Sequence, residues 1–477
     1  MNKVRDWFIK SVKSNRGMPR IWLQGKRYEK IGFAPGQRYV SREEAGCLFL
    51  ELSAVGSRVV CSKRDGERVD TVIDLNSGKA VGQFEGMDQV RVVLEDGRIM
   101  ISPLASEERA RERLQRLAQK IEQGDPILTG SVAHGGGILS HAIHKGLAEA
   151  GIPSELAFAN EVREELLEHA SDANEVWSDT TVMLSGPMQE LAFDSDVLSR
   201  LPSVEVMEMG IPCTAASLAG RAKKGLKQPE DDPGVGHLIV AAINLIARMN
   251  PAVVVFENVV PYRGTASAGI FRSQLRDLGY EVHEAVLNAG DFNALEERRR
   301  LVMVAVTRGM HFDFACLRLP EKETRTVGQI LEPIADDDPS WSSMPGLVSK
   351  ALRDKTEGNG FKMQVIDATA TRVPTFTKGM SRNRSTDVKF RHPRVPELMR
   401  VPTPIEHARV KDVDPALIRG LCKTTAHEVL GQSICWRPFF ELARQLLSET
   451  LRKGRSQATA VAPVLRELVQ IDLFEAA

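Results

Sequence analysis

Cysteine is scarce and scattered in this 477-residue chain, with six residues at positions 47, 61, 213, 316, 422 and 435 and no Cys-x-x-Cys pair. That spacing argues against a zinc site and against a disulfide framework, and it leaves the cytoplasm as the default compartment. No apolar run approaches the roughly eighteen residues of a membrane span. The start, Met1-Asn2-Lys3-Val4-Arg5-Asp6-Trp7, lacks the apolar centre of a secretory signal. Net charge is missing too, since Lys plus Arg and Asp plus Glu both total 63, so overall charge points to no polyanionic partner. The charge is unevenly placed, however. Residues 1–30 hold nine basic and two acidic residues, and residues 372–400 hold eight and two.

The length predicts two or three domains, and a hydrophobic fraction of 42% is that of an ordinary globular chain. Residues 1–104 read as short strands such as Ile21–Leu23, Cys47–Leu50 and Val92–Leu94, with Asp65-Gly66 and Asp96-Gly97 as hairpin-type turns. Residues 105–126 read as a linker helix, with an acidic first turn followed by Leu114, Leu117 and Ile121 on one face. From 127 to 310 strands alternate with helices of ten to fifteen residues, the pattern of a doubly wound, Rossmann-like α/β sheet. Residues 311–400 lose this rhythm and predict a loop-rich region with a basic run through Arg382, Arg384, Lys389, Arg391 and Arg394. Residues 401–477 predict helices that complete the α/β domain.

Chemistry concentrates at apparent strand ends, where such sheets bind ligands. Gly135, Gly136 and Gly137 follow the strand Ile127–Gly130 and suit close backbone approach to a nucleotide-like ligand, or simply a tight turn. Glu161 ends the next strand, the place for a carboxylate that holds two ribose hydroxyls, or for a solvated acid opening a helix. Cys213 follows Pro212 in a loop of small residues, which suits a reactive thiolate better than an inert packed thiol. Glu257 ends the apolar run Val253–Phe256. Partial desolvation and a raised pKa are expected there, unless a lysine or arginine pairs with it. Arg298 and Arg300 alternate into Leu301-Val302-Met303 and point to one side, toward a base or phosphate, or as a plain surface cluster.

In order and wording these motifs resemble the C5-cytosine DNA methyltransferases over roughly residues 127–450. The resemblance rests on Pro212-Cys213, Ser217-x-Ala219-Gly220, Glu257-Asn258-Val259, Glu296-x-Arg298-x-Arg300, Ala159-Asn160-Glu161 and the terminal Leu430-Gly431-Gln432-Ser433-Ile434. It implies Cys213, Glu257, Arg298 and Arg300 as catalytic residues, with Arg298 the stronger of the two arginines for holding the base. It implies Gly135, Gly136, Gly137, Glu161, Pro212, Gln432 and Ser433 around S-adenosylmethionine. Thr214, Ser217, Asn258, Arg382 and Arg384 would meet the DNA, which would present a flipped-out or single-stranded cytosine. The 311–400 region would recognise the target, its basic side chains mainly neutralising phosphate. The chain departs from the family pattern in its first motif, Gly130-Ser131-Val132-Ala133-His134-Gly135-Gly136-Gly137, which lacks the acid and the aromatic. Thr214, Ala216, Glu296 and Gln432 are further departures, and Ser185-Gly186-Pro187 stands where an acid is expected. An RNA cytosine methyltransferase and a non-enzymatic DNA-binding regulator are the competing readings. Near the N-terminus, Arg20–Lys26 and Gly32–Gln37 resemble SymE-like, AbrB-type modules, which implies nucleic-acid binding and a dimer through this part.

Overall fold

The computed structural model describes residues 3–15, 17–212, 224–358, 363–384 and 386–458, so Cys213, Thr214 and Ser217 lie outside the described residues. The chain divides into two units, the first up to Gln115 and the second from Arg116 to Gln457. The division falls inside the predicted linker helix, which runs Ala105–Gln123.

The first unit is β-rich, as expected. A six-stranded antiparallel sheet has the order Val4–Ser11, Gln89–Glu95, Arg98–Ser102, Cys47–Leu52, Arg38–Glu44, Arg58–Val59. A second antiparallel sheet orders Lys13–Asn15, Met18–Gln24, Arg68–Leu75 and Cys61–Asp65. Asp96-Gly97 is a two-residue hairpin turn between Glu95 and Arg98, with Gly97 at φ 72°. Between the strands Arg58–Val59 and Cys61–Asp65, which belong to different sheets, Val60 buries its side chain in this unit's core. The strands Val4–Ser11 and Arg38–Glu44 carry many polar residues and gave no apolar signal.

The second unit is built on seven strands: β1 Ile127–Val132, β2 Ser154–Glu161, β3 Val182–Ser185, β4 Val206–Met209, β5 Val253–Val259, β6 Tyr280–Asn288 and β7 Arg299–Thr307. Their order across the sheet is β3-β2-β1-β4-β5-β7-β6, with β7 antiparallel to both neighbours and the other pairings parallel. Val253-Val254-Val255-Phe256 is buried throughout, so both faces of the sheet are covered at this position. Each such side chain contributes roughly 1.5–3 kcal/mol on leaving water.

The helices α1 Ile138–Glu149, α2 Glu164–Ala173, α3 Leu238–Met249 and α4 Ala266–Asp277 alternate with the strands. The α3 sequence is apolar on several sides and ends at Asn250, which takes the left-handed conformation at φ 49°. Thr265 caps α4, its hydroxyl accepting the Ala268 N–H. The linker helix is tied beneath the sheet by Arg116, whose guanidinium donates to Glu205, Val204 O and Asn250 O.

The order of the strands reverses between β1 and β4, so their carboxyl ends open the crevice in which α/β sheets bind ligands. The region 311–400 is loop-rich as predicted, yet it holds a helix, Pro345–Thr356, and a small sheet of Val365–Ile366, Lys389–Arg391 and Met399–Arg400. Its own core joins Val327, Ile330, Val373, Phe376, Met380, Val388 and Phe390 to Leu295 and Val410. The helices α5 Pro404–Val410 and α6 Lys423–Gln432 follow. Thr403-Pro404-Ile405-Glu406 is a capping box with proline in the first turn, which starts α5 sharply.

Candidate active site

The glycine loop leaves β1 through Ala133 at φ 55° and Gly135 at φ 57°, and Gly137 at φ 72° opens α1. A Cβ at Gly135 would meet open space, whereas one at Gly136 would sit 2.6 Å from Val429 Cγ1 of α6. Gly137 is the most confined of the three, because a Cβ there would lie 2.5 Å from Asn174 Nδ2 and 2.6 Å from His134 Nε2. Glu161, at the end of β2, reaches this loop. Its carboxylate accepts the Gly135 N–H at 2.9 Å and the Arg163 N–H at 3.2 Å. Its neighbour Asn160 donates to Leu184 O and Gly186 O, both at 2.9 Å, which binds the exit of β3 to β2.

A buried polar chain that the sequence reading missed supports the loop from below. Trp177 Nε1 donates to His134 Nε2 at 3.3 Å, so His134 carries its proton on Nδ1 and gives it to Ser131 Oγ at 2.7 Å. Burial pulls the His134 pKa down to about 3, so the ring is neutral. Ser131 stands opposite Glu208 in the β1–β4 register. Burial pushes the Glu208 carboxyl up to about 8, against the opposing pull of the Ser131 and Ser140 hydroxyls. Even so, Glu208 Oε1 and Ser140 Oγ have no hydrogen-bond partner among the described residues. The available signal was an acid inside Val206-Met207-Glu208-Met209, a strand otherwise apolar.

Across the crevice, β4 ends at Met209 and the chain runs through Gly210 and Ile211 to the exposed Pro212. Asn258 is buried at the end of β5 and donates to Ile211 O at 3.4 Å, holding the stem two residues before Cys213. This amide is engaged inside the protein, in contrast to the expected contact with DNA. A Cβ built on Gly210 would lie 3.5 Å from Glu257 Oε2, which places the carboxylate against the base of the cysteine loop. Glu257 is 13% exposed, and its Oε1 is 2.7 Å from Arg300 Nε.

The two arginines part company. Arg300 stays at the mouth of the site with Glu257. Arg298 is 3% exposed and donates to Glu296 Oε1 at 3.1 Å, Phe376 O at 3.3 Å and Gly431 O at 2.8 Å. The expectation that Arg298 holds the base is corrected on these grounds, since its guanidinium is committed to joining β7, the 376 segment and the terminal motif. Glu296, read as drift from glutamine, is fully buried and also meets the Phe376 N–H at 3.1 Å and Lys411 Nζ at 3.3 Å. Burial brings the Lys411 ammonium down to about 8. Lys411 in turn donates to Ser433 O. A buried acid thus replaces an amide where a buried cation is at hand.

Gly431 is required by close approach, because a Cβ there would sit 2.2 Å from Lys378 N. Ser433 turns its hydroxyl back to Leu430 O, and Gln432 is exposed. In the basic run Arg382 and Arg384 are exposed, as a phosphate contact needs. Lys389 is not available for one. It is fully buried, with Nζ on Arg384 O and Asp387 O. Arg391 and Arg394 pair with Asp367 and Asp336.

A mixed seven-stranded sheet with a glycine loop after β1 and an acid at the end of β2 is the fold of the S-adenosylmethionine-dependent methyltransferases. The chain belongs to the C-5 cytosine-specific DNA methylase family, whose sequence profile matches residues 142–447. It is 26% identical over 265 residues to Type II methyltransferase M1.ScrFI of Lactococcus lactis subsp. cremoris, covering 54% of this chain and 65% of that one. Type II methyltransferase M.DsaV of Dactylococcopsis salina is 24% identical over 278 residues, 56% of this chain and 74% of its own. M.HgiBI of Herpetosiphon aurantiacus is 30% identical over 156 residues, 32% and 34% of the two chains. The structure of S. pombe Dnmt2 methyltransferase shares the fold with a TM-score of 0.53 at 17% identity, over 69% of this chain and 99% of that one. Entamoeba histolytica methyltransferase EhMeth does so with 0.51 at 14%, over 67% and 97%.

Proposed function

We propose that the chain transfers a methyl group from S-adenosylmethionine to C5 of a cytosine in DNA, as the modifying member of a restriction-modification pair. The observation that carries this reading is the junction of Glu257 and Asn258 with the stem of the cysteine loop, directly across the strand-order reversal from the glycine loop. The residues present fit the cofactor. Gly135 leaves open space where a side chain would stand, and Glu161 offers a carboxylate already oriented by two backbone N–H groups.

S-adenosylmethionine, when bound, supplies an electrophilic methyl group. Gly135, Gly136, Gly137 and Glu161 would hold it, with Pro212, Gln432 and Ser433 at the periphery. The Cys213 thiolate would add to cytosine C6, which makes C5 enamine-like. Glu257 would hold the proton at N3 during that addition, and Arg300 would keep the carboxylate aimed. C5 would then take the methyl group, after which loss of the C5 proton and departure of the thiolate from C6 would complete the cycle. The cytosine must be flipped out or unpaired to reach such a crevice. Arg382 and Arg384 would contact phosphate, and Thr214 and Ser217 the target strand. Arg298 is assigned to positioning.

DNA carrying 5-fluorocytosine tests the covalent step, since fluorine cannot leave as the C5 proton does. The expected result is a denaturation-resistant protein–DNA complex that forms with the cofactor and is absent in Cys213→Ser. Its absence in the unaltered chain would refute the reading.

A further inference from the structure

The first unit carries a concavity of about 500 Å³ lined by Ile9, Lys10, Ser11, Lys13, Arg20 and Trp22, within the usual range for small-ligand sites. Arg20 is held in place, with Nε and Nη2 each 2.8 Å from the Asp74 carboxylate and its guanidinium 4.7 Å from the centre of the Trp22 ring. Lys13 stands directly opposite Arg20 in the antiparallel hairpin. Like charges so placed oppose folding, so the fold itself gives no reason for the lysine. Among the described residues Lys10 and Lys13 form no ion pair. Apolar side chains of the strand Val4–Ser11, which carries Lys10, are exposed, with Trp7 at 56% and Ile9 at 45%.

We propose that this groove binds single-stranded DNA, with phosphates on Lys10 and Lys13 and a base against Trp22 and Ile9. Cations beside a half-buried aromatic suit a strand whose bases are unstacked, since every base presents a face to the ring. In a duplex those faces are hidden. The choice of DNA follows the family of the second unit. The proposal goes beyond methyl transfer and stands without it.

The test titrates the full chain and its Lys10→Glu/Lys13→Glu variant against labelled oligo-dT by fluorescence anisotropy over a salt series. The variant is expected to bind at least about tenfold more weakly, and the slope of log affinity against log salt should fall by about 1.4, two contacts at about 0.7 each. A second variant, Trp22→Ala, is expected to weaken binding while keeping the salt slope. Unchanged affinity and slope in both variants would overturn the proposal. So would a loss seen only with duplex, a preference for oligo-rU, or an altered oligomeric state with DNA binding intact. Duplex methylation is read in parallel. An inactive unaltered chain would overturn the methyl-transfer reading and leave the oligo-dT result standing.

Discussion

Glu208 shows how one residue can couple the cofactor side of the crevice to pH. Its carboxyl is pushed up to about 8 by burial, so the folded chain keeps a proton that the unfolded chain releases near the ordinary glutamate value. That contribution to stability is complete below about pH 4.5 and is lost as pH rises through about 8. Glu208→Gln should therefore flatten the fall in melting temperature over that range, as calorimetry at several pH values would show. An undiminished fall would mean that another group is responsible. The two arginines separate in the same manner. Arg298→Met should cost about 3–5 kcal/mol by leaving Glu296 short of a partner, with kcat of the folded fraction little changed. Arg300→Gln should leave the melting point almost unmoved and lower kcat by about 10²-fold. Equal effects on both readouts in both variants would contradict the assignment. The strand-end position of Glu161 was legible, because an acid after an apolar run has a natural place there; Glu257 instead lies inside β5, which continues to Val259. Glu296 was not legible. Its compensating cation, Lys411, is brought to it by tertiary packing.

At the scale of elements, the glycine loop and α6 are matched surfaces. Val429 fills the place where a Gly136 side chain would stand, so Gly136→Ala should weaken S-adenosylmethionine binding and Val429→Ala should restore part of it. Isothermal calorimetry on the single and double variants checks this, and strict additivity would contradict the packing account. Gly431 allows no such relief, since backbone atoms of Lys378 occupy the space. Sequence patterning located the strands β1, β2 and β5. It passed over β3 and β4, four residues each, because a short strand with polar members lacks a measurable period. The reversed direction of β7 was equally invisible, as strand direction is decided by long-range pairing.

At the scale of the whole molecule, two units with separate cores imply two unfolding events. Calorimetry should resolve two transitions, with cofactor raising only the one that belongs to the second unit. A single transition raised as a whole would contradict independent units. The division into a β-rich unit and an α/β unit was legible from composition, because alternating strands and helices begin abruptly at residue 127. Its position inside the helix Ala105–Gln123 was not, since a continuous helical pattern carries no mark of where one core ends.

The central claim is cytosine C5 methylation through Cys213. Nucleoside mass spectrometry of DNA from methylation-free cells expressing the chain, beside a Cys213→Ser control, tests it most directly. The account predicts 5-methylcytosine in the first and none in the second. DNA without 5-methylcytosine, or equal amounts in both, would contradict it.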